Sequence, residues 1–560
     1  MCTFLRTAVG EATAPGMYLG TQGAPVVALD ARRVVEALQL SMTPNPVARD
    51  SALKLLKDWQ QTHCLGLVPA LLDILGGQLG SPREVRLYAA IMTKNLVGCS
   101  WDRNVQGWSR ALVEKRGWNE MDDAEKEALK RRLLCLLFSE REEQVRDQLV
   151  VVVAAIARYE LPDGWPSLLG ELVDIAKEPA IGFDRKRLAL QTLKRVLFAL
   201  KGKKTILSVT TEDVIGDGAK LRSFMRAGAV EMHSLQSTVK ALVLPLYQLW
   251  HHWSGVLGRG EEHWSGAGTV ANASLSCLRQ VVLVLESSAI LSADIETFFG
   301  EAARQARDLR NPFIEPPPGS PAAAHLAQWQ RMAGKSFEVI AKCAIACVDK
   351  HPRAFAPHLA SFMETYVASV MSVTDEHLAR MRQKRLILMT RFLAKILHCQ
   401  FYKPLPMGLG YALQGQVSKG TEDMRKAARR LGDFFESALF PQFVEALVTR
   451  FLILTDEELG EWESDPEGFF LLSNLDLDIE SEVRRCCAEA LLLFLMERNT
   501  EATARVVLSL ASQAAQTQGL PSLRLAEACF HALDATAMLM VSSLVEFPSP
   551  RRGFPARVPR

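Results

Sequence analysis

An all-α fold, an α-solenoid superhelix of HEAT-type helical pairs, is what this chain predicts, and three observations carry the prediction. Apolar residues recur with a helical period almost everywhere from Val26 to about Val545, and strand-like alternation is hardly present. The helices fall in pairs, each occupying roughly 40 residues with its connection. Helix starts are marked by capping residues placed before proline, as at Asn45-Pro46 and Ser81-Pro82. One pair cannot bury its own apolar face, so successive pairs must stack to build a continuous core.

The elements follow in order. Residues 28–41 and 45–62 form the first pair, and Ala52, Leu55, Leu56 and Trp59 mark one face of the second helix. Residues 64–76 and 81–98 form the next. There Ser81 and Glu84 have the spacing of a capping box, and Val85, Tyr88 or Ala89, Met92 and Leu96 line the apolar stripe. Pairs at 122–139 with 141–159 and at 163–177 with 183–202 continue the array. Further helical stretches are expected at 217–253, 270–310, 322–350, 353–373, 375–399, 421–454, 481–498 and 521–546. Breaks fall at Asn311 to Pro321, where three consecutive prolines forbid a helix, and at Lys403 to Gly420.

Composition bounds the function. Hydrophobic residues at 48% and charged residues at 23% of 560 describe an ordinary folded chain rather than a disordered one. Lys+Arg at 65 against Asp+Glu at 63 leaves +2, which gives no support to a generally basic nucleic-acid binder. Eleven cysteines without a C-x-x-C pair argue against a disulfide scaffold or a zinc ribbon, and fit reduced thiols in a cytosolic or nuclear protein. The longest apolar run, Leu149 to Ala157, falls far short of the roughly 20 residues a spanning helix needs, so no membrane insertion is expected. The first 25 residues lack an apolar core and read as a disordered extension or a gene-model artefact.

Catalytic motifs fail on inspection. Ala333-Gly334-Lys335-Ser336 ends like a phosphate-binding loop, but Trp329 stands where the first glycine is required. Gly408-Leu409-Gly410 follows no strand and lacks the later glycine of a dinucleotide site. Cys343 and Cys347 are one turn apart and would need two more ligands to hold a metal. His251, His252 and His263 lie among Trp250, Trp253 and Trp264, which reads as aromatic packing at a helix end. Asn272-Ala273-Ser274 would be a glycosylation acceptor only in a secreted chain. No enzyme activity, cofactor or metal is expected.

Two segments carry a resemblance. Leu38 to Trp59, with Ala52, Leu56 and Trp59, followed by Val85 to Trp101, with Arg86, Ala89, Lys94 and Asn95, resembles the importin-β N-terminal domain. That domain carries an A-x-x-x-L-x-x-W helix and then VR-x-x-A-x-x-x-x-KN; Leu53 departs from the Glu usual after the Ala. Tyr159, Leu161, Pro162, Trp165 and Pro166 are similar to the family's D-x-P-x-x-WP-x-L junction. Phe183 to Lys204, the aromatic segment around Trp250, Leu454 to Phe469 and Arg484 to Arg498 extend the match, which runs from about 26 to 540 and is densest before 205 and around 454–495.

The resemblance implies a nuclear import receptor that binds protein cargo in the cytoplasm, passes the pore through Phe-Gly nucleoporins, and releases cargo when Ran-GTP binds. It would shuttle between nucleus and cytoplasm and need no direct nucleic-acid contact. An export receptor of the same superfamily and a HEAT scaffold without a transport role are the alternatives. The implied layout is an importin-β N-terminal domain at 26–120, HEAT repeats at 121–310, a Pro-rich loop at 311–321, HEAT repeats at 322–545, and a Pro/Arg tail at 546–560. Receptors of this family are nearly twice as long, so a C-terminal half is expected to be missing and the end near 546 to lack a capping repeat.

Two charge patterns are the candidate partner surfaces. Arg187, Lys194 and Lys201 recur every seven residues and so share one face of helix 183–202, which fits either a solvated face or a surface for an acidic patch. Arg86 and Lys94 would lie in the Ran-binding repeats, with Asn95 bonding to backbone. The acidic segment 455–467 gathers Asp456, Glu457, Glu458, Glu461, Glu463 and Asp465 around Trp462, either as a solvated loop or as a rim for basic residues of Ran or cargo.

Overall fold

The computed structural model describes residues 29–62, 66–77, 79–101, 121–201, 218–311, 313–374, 376, 382–403, 419–474, 483–516 and 520–544. The expected leader, the Pro/Arg tail and Gly408-Leu409-Gly410 lie outside the described residues. Every regular element among those described is helical. Two compact units divide the chain, one ending at Tyr159 and one starting at Glu160.

The first unit alternates two rows of helices. One row holds α1 (Ala31–Ser41), α3 (Leu67–Leu75) and α5 (Asp123–Ser139). The other holds α2 (Pro46–Thr62), α4 (Arg83–Ser100) and α6 (Glu143–Glu160). Within the first row α1 packs on α3, and α3 packs on α5. Asn45 caps α2 as its spacing predicts, Oδ1 accepting from the Val47 amide at 3.1 Å. The capping box expected at Ser81 does not form. Helix α4 begins one residue late, at Arg83, with Pro82 as N-cap, and Ser81 Oγ is buried without a hydrogen-bond partner. The predicted stripe of α4 is otherwise right, since Val85, Ala89, Met92 and Leu96 are all buried.

The second unit repeats the arrangement over more pairs. Helices α7 (Leu168–Lys177), α10 (Val243–Arg259), α12 (Ala293–Asp308), α14 (Leu359–Met371) and α17 (Leu439–Ala446) pack in succession as one row. Helices α8 (Phe183–Lys201), α11 (Trp264–Val284), α13 (Leu326–Lys350), α15 (Gln383–His398) and α20 (Arg484–Arg498) pack in succession as the other. Helices α9 (Gly218–Lys240) and α16 (Lys419–Glu436) flank the rows, while α18 (Asp456–Ser464) and α19 (Pro466–Asn474) pack on each other. The unit ends with α21 (Thr500–Ala514) and α22 (Leu520–Leu544), packed together.

An aromatic seam joins the rows. Phe299 meets Phe355 at 5.5 Å, Phe355 meets Phe362 at 5.2 Å, and Tyr366 meets Phe392 at 4.8 Å between ring centres. Close approach also demands glycine: a Cβ at Gly266 would stand 2.5 Å from the Phe183 ring.

Four expectations are corrected. The stretch 217–253 breaks at Ala241 and Leu242, and 270–310 breaks between Leu285 and Ser292. At the second break Gln236 of α9 serves the exposed backbone, donating to the Val284 carbonyl at 3.2 Å and accepting from the Glu286 amide at 2.8 Å. Helix α21 was not expected, although Thr503, Val507, Leu510, Ala511 and Ala514 are buried at helical spacing. Finally, two helical segments are long and apolar enough to cross a membrane, Trp264–Val284 and Leu523–Ser542, which counting unbroken apolar runs misses. The first is 72% buried inside the fold and serves as a core helix.

Candidate functional site: a basic cleft and an acidic helix

In the first unit, Arg86 is fastened. Its Nη1 lies 2.7 Å from Glu140 Oε2, and the Glu140 side chain is only 2% exposed. The other Glu140 oxygen accepts from the amides of Arg141 and Glu142 at 2.8 and 2.9 Å, so one carboxylate ties α4 to the corner before α6. Lys94 is half-buried further along the same helix. Asn95 is exposed and shows no side-chain hydrogen bond among the described residues, contrary to the backbone-bonding role expected for it.

In the second unit, α8 presents the predicted basic stripe. Lys194 and Lys201 are exposed, and Arg187 is 38% exposed with Asp184 3.9 Å away. Lys186, one position off the stripe, points inward instead and stands over the Trp253 ring at 5.4 Å. Burial pushes its ammonium below the ordinary lysine range, with Glu178 opposing.

The stripe runs into a cleft that the sequence reading did not anticipate. It encloses about 350 Å³ and crosses four adjacent helices of one row. Its cations are Lys201 of α8, Arg279 of α11, Lys342 and Lys350 of α13, and Lys384 and Arg391 of α15. Asp349 is the single carboxylate of the lining, and it pairs with Lys395 at 3.2 Å. The cations sense one another: burial first, and the Lys201 ammonium second, hold Lys350 below the usual lysine range, against Glu286. Arg279 Nε is buried without a hydrogen-bond partner. Aliphatic side chains floor the cleft between these charges, among them Leu283, Ile345, Ile387 and Leu388.

The acidic segment is a helix rather than a loop. Thr455 and Glu458 form a capping box: Oγ1 of Thr455 accepts from the Glu458 amide at 3.2 Å, and Glu458 Oε2 accepts from the Thr455 amide at 2.8 Å. Glu458 also receives Arg484 Nη2 at 2.9 Å, and Arg484 is 2% exposed. Asp456 pairs with Arg524 at 2.5 Å, and Asp465 accepts from the Gly468 amide at 2.9 Å to start α19. Three of the six candidate acids thus have structural partners. Glu457, Glu461 and Glu463 are exposed, beside Trp462, which stacks on Phe469 at 6.3 Å.

The remaining motifs resolve into packing. Asn272, the glycosylation candidate, is buried, donates to the Met332 carbonyl at 3.3 Å and accepts from Ser336 at 2.9 Å. The same bond occupies the serine of the phosphate-loop look-alike. Cys343 and Cys347 are buried, and desolvation pushes the Cys343 thiol up to about 12 and the Cys347 thiol up as well. Trp250 is buried against Phe298 at 5.4 Å, and His251 stacks on Tyr247 at 5.8 Å. No catalytic geometry assembles from these groups.

No family model matches the chain. It is 23% identical to Importin-11 of Mus musculus over 476 residues, which are 79% of this chain and 42% of the relative. Over 140 residues it is 28% identical to Exportin-2 of Oreochromis niloticus, covering 25% of this chain and 13% of the relative. Among solved structures, the exportin Cse1 in its cargo-free, cytoplasmic state matches with a TM-score of 0.52 at 14% identity, over 90% of this chain and 47% of Cse1. That likeness shows the fold, and the chain spans less than half the length of these relatives. Along most of its length the chain is therefore similar to Importin-11, and its helical fold is like that of the exportin Cse1.

Proposed function

We propose that the chain acts as a nuclear transport receptor in the import direction, binding protein cargo in the cytoplasm and releasing it when Ran-GTP binds in the nucleus. The observation that carries this reading is the identity to Importin-11 over 79% of the chain. The N-terminal motif residues Ala52, Leu56, Trp59, Arg86, Ala89 and Lys94 support it. The mechanism requires no bond chemistry. Ran-GTP and cargo lower each other's affinity by the same factor, because both bias one set of stacked helices. Lys94 and the stripe of Arg187, Lys194 and Lys201 are the partner contacts assigned under this reading. Exposed Glu457, Glu461 and Glu463 would meet basic residues of Ran or cargo. Phe-Gly nucleoporins would insert phenylalanines between helices of the first-helix rows.

Export is the second reading, and the matches to Exportin-2 and to the Cse1 fold favour it. One experiment separates the two. Immobilised chain is challenged with Ran-GTP or Ran-GDP in the presence of a cargo mixture. Import predicts selective Ran-GTP binding with loss of cargo; export predicts that Ran-GTP and cargo are retained together. Binding of neither Ran-GTP nor Phe-Gly repeats overturns the transport reading and leaves a HEAT scaffold.

A further inference from the structure

Helix α8 carries an exposed ring inside its basic stripe. Phe198 is 53% exposed, and no phenylalanine among the described residues is more so. It follows Lys194 by four positions and precedes Lys201 by three, so the three side chains lie within about 60° of one another around the helix. Arg195 sets its guanidinium 5.6 Å from the centre of the ring. Lys194, Arg195 and Lys201 make no side-chain hydrogen bond or ion pair among the described residues, whereas Arg187, one heptad back, has Asp184 at 3.9 Å. The helix dipole accounts for Lys201 at the last residue of α8 but not for Lys194, because its effect fades within the last turn. Nor does it account for Phe198, whose apolar surface stays in water until something covers it. A cover needs carboxylates at both ends and an apolar group between them, over about 10 Å of helix. A second helix laid alongside presents that order, since it repeats one face at i+3 or i+4 and at i+7. Single-stranded nucleic acid fits less well: it uses successive stacking platforms, and α8 exposes a single ring.

We propose that Lys194, Arg195, Phe198 and Lys201 dock an acidic amphipathic helix of a partner protein. Its carboxylates meet the three cations, and an aliphatic side chain between them covers the Phe198 ring. The proposal names the partner class for the stripe, and rests on the transport reading in taking that helix to belong to a transported protein. Its assay contains no Ran, so loss of this docking beside intact, selective Ran-GTP binding removes the surface and leaves the transport reading standing.

The test uses the full chain and fluorescence anisotropy of labelled alanine-based peptides of about 18 residues, long enough to be helical. Each has Glu at i and i+7, with Leu at i+4 for parallel docking or at i+3 for antiparallel docking, and the tighter of the two is the probe. Competitors are the same peptide with Leu moved to the opposite face, a single-stranded RNA and inositol hexakisphosphate. Moving the leucine should weaken binding about 10-fold, and Phe198→Ala should do the same. Lys194→Glu/Lys201→Glu should lose at least about 30-fold with an unchanged far-ultraviolet spectrum. Arg505→Glu, at an exposed residue of α21 paired with Glu501, should leave affinity unchanged. Should charge reversal unfold the chain, Lys194→Gln/Lys201→Gln supplies the milder test, with a loss of about 5-fold and a flatter salt dependence. The proposal is overturned if neither peptide binds saturably, if Phe198→Ala or the lysine variants bind like the parent chain, or if the displaced leucine makes no difference. Tighter binding of the RNA or the inositol phosphate than of the probe overturns it as well.

Discussion

Arg484→Met is the perturbation that asks what holds the acidic helix in place. Arg484 lies at the first position of α20 and donates to the Arg450 carbonyl at 3.0 Å, to the Ile453 carbonyl at 2.7 Å and to Glu458 Oε2 at 2.9 Å. The two carbonyls close the helical turn that ends at Phe451, where unpaired backbone acceptors collect. Burial lowers the guanidinium pKa, with Glu458 opposing, so the charge is held against a desolvation cost. Methionine keeps much of the volume and abolishes that cost, but it strands two carbonyls and a carboxylate that is only 16% exposed. Losing one partner of such a set costs about 3–5 kcal/mol. Allowing for the recovered apolar packing and for the Thr455 amide that Glu458 retains, about 3 kcal/mol is expected.

Hydrogen exchange reads this locally, which matters because a long helical array need not unfold in two states. Amides of 456–464 should exchange about 100-fold faster in Arg484→Met, since about 1.4 kcal/mol corresponds to a factor of ten. Glu458→Gln keeps an acceptor for Thr455 and for Arg484, and should change exchange less than about tenfold. Equal exchange in Arg484→Met and the parent chain, or a larger effect from Glu458→Gln, would refute the assignment of Arg484 as the anchor.

Arg86→Ala should destabilise the first unit by about 2 kcal/mol, because Glu140 keeps its backbone donors but loses its cation; Lys94→Ala should cost less than about 0.5 kcal/mol. Urea denaturation of the two variants checks this, and equal midpoints would return Arg86 to the list of free partner-binding residues. His351 gives a pH dependence. Burial holds its imidazole at about 4, with Nε2 donating to the Val282 carbonyl at 3.0 Å, so the folded ring stays neutral where the unfolded ring takes up a proton. Its contribution is complete above the ordinary histidine pKa near 6.5 and is lost as pH falls toward 4, amounting to about 2.5 kcal/mol by pH 4.5. The fall in stability between pH 7 and 4.5 should therefore shrink in His351→Gln, and an unchanged fall would exclude His351 as its source.

Local signals made the first four helical pairs legible, because capping residues, proline at the first turn and an apolar stripe lie within one helix. Asn45 caps as its sequence says, and Trp101 is buried at the end of its motif. Ser81 misled because a capping box is a spacing that only the true helix start can use, and α4 starts at Arg83. The break after Val284 was illegible because the residue that stabilises it, Gln236, comes from another helix. The cleft was illegible for a stronger reason. Its cations stand between positions 201 and 391 on four helices, and only the stacking of repeats brings them together. Of the stripe Arg187, Lys194 and Lys201, only Lys201 lines it.

The same stacking divides the cations of the second unit into two kinds that composition cannot distinguish. Arg385 donates to the Arg310 carbonyl at 2.8 Å, Arg450 to Met371 at 2.6 Å, and Arg498 to Leu397 at 2.8 Å; Arg484 does the same for Arg450 and Ile453. Each acceptor lies at or just beyond the carboxyl end of a helix, where free carbonyls and the negative end of the dipole gather. A cation placed there satisfies the backbone and fixes one helix against another. Arg385 shows the cost and the gain together: it is 4% exposed, burial lowers its pKa to about 10, and the Phe337 ring lies 4.0 Å beneath it. Such a group cannot turn to a ligand without opening the stack. The cleft cations Lys342, Lys384 and Arg391 instead lie along the lengths of α13 and α15, away from their carboxyl ends. Position along the helix, and not residue type, thus separates arginines that cap a neighbouring helix from cations that line the groove.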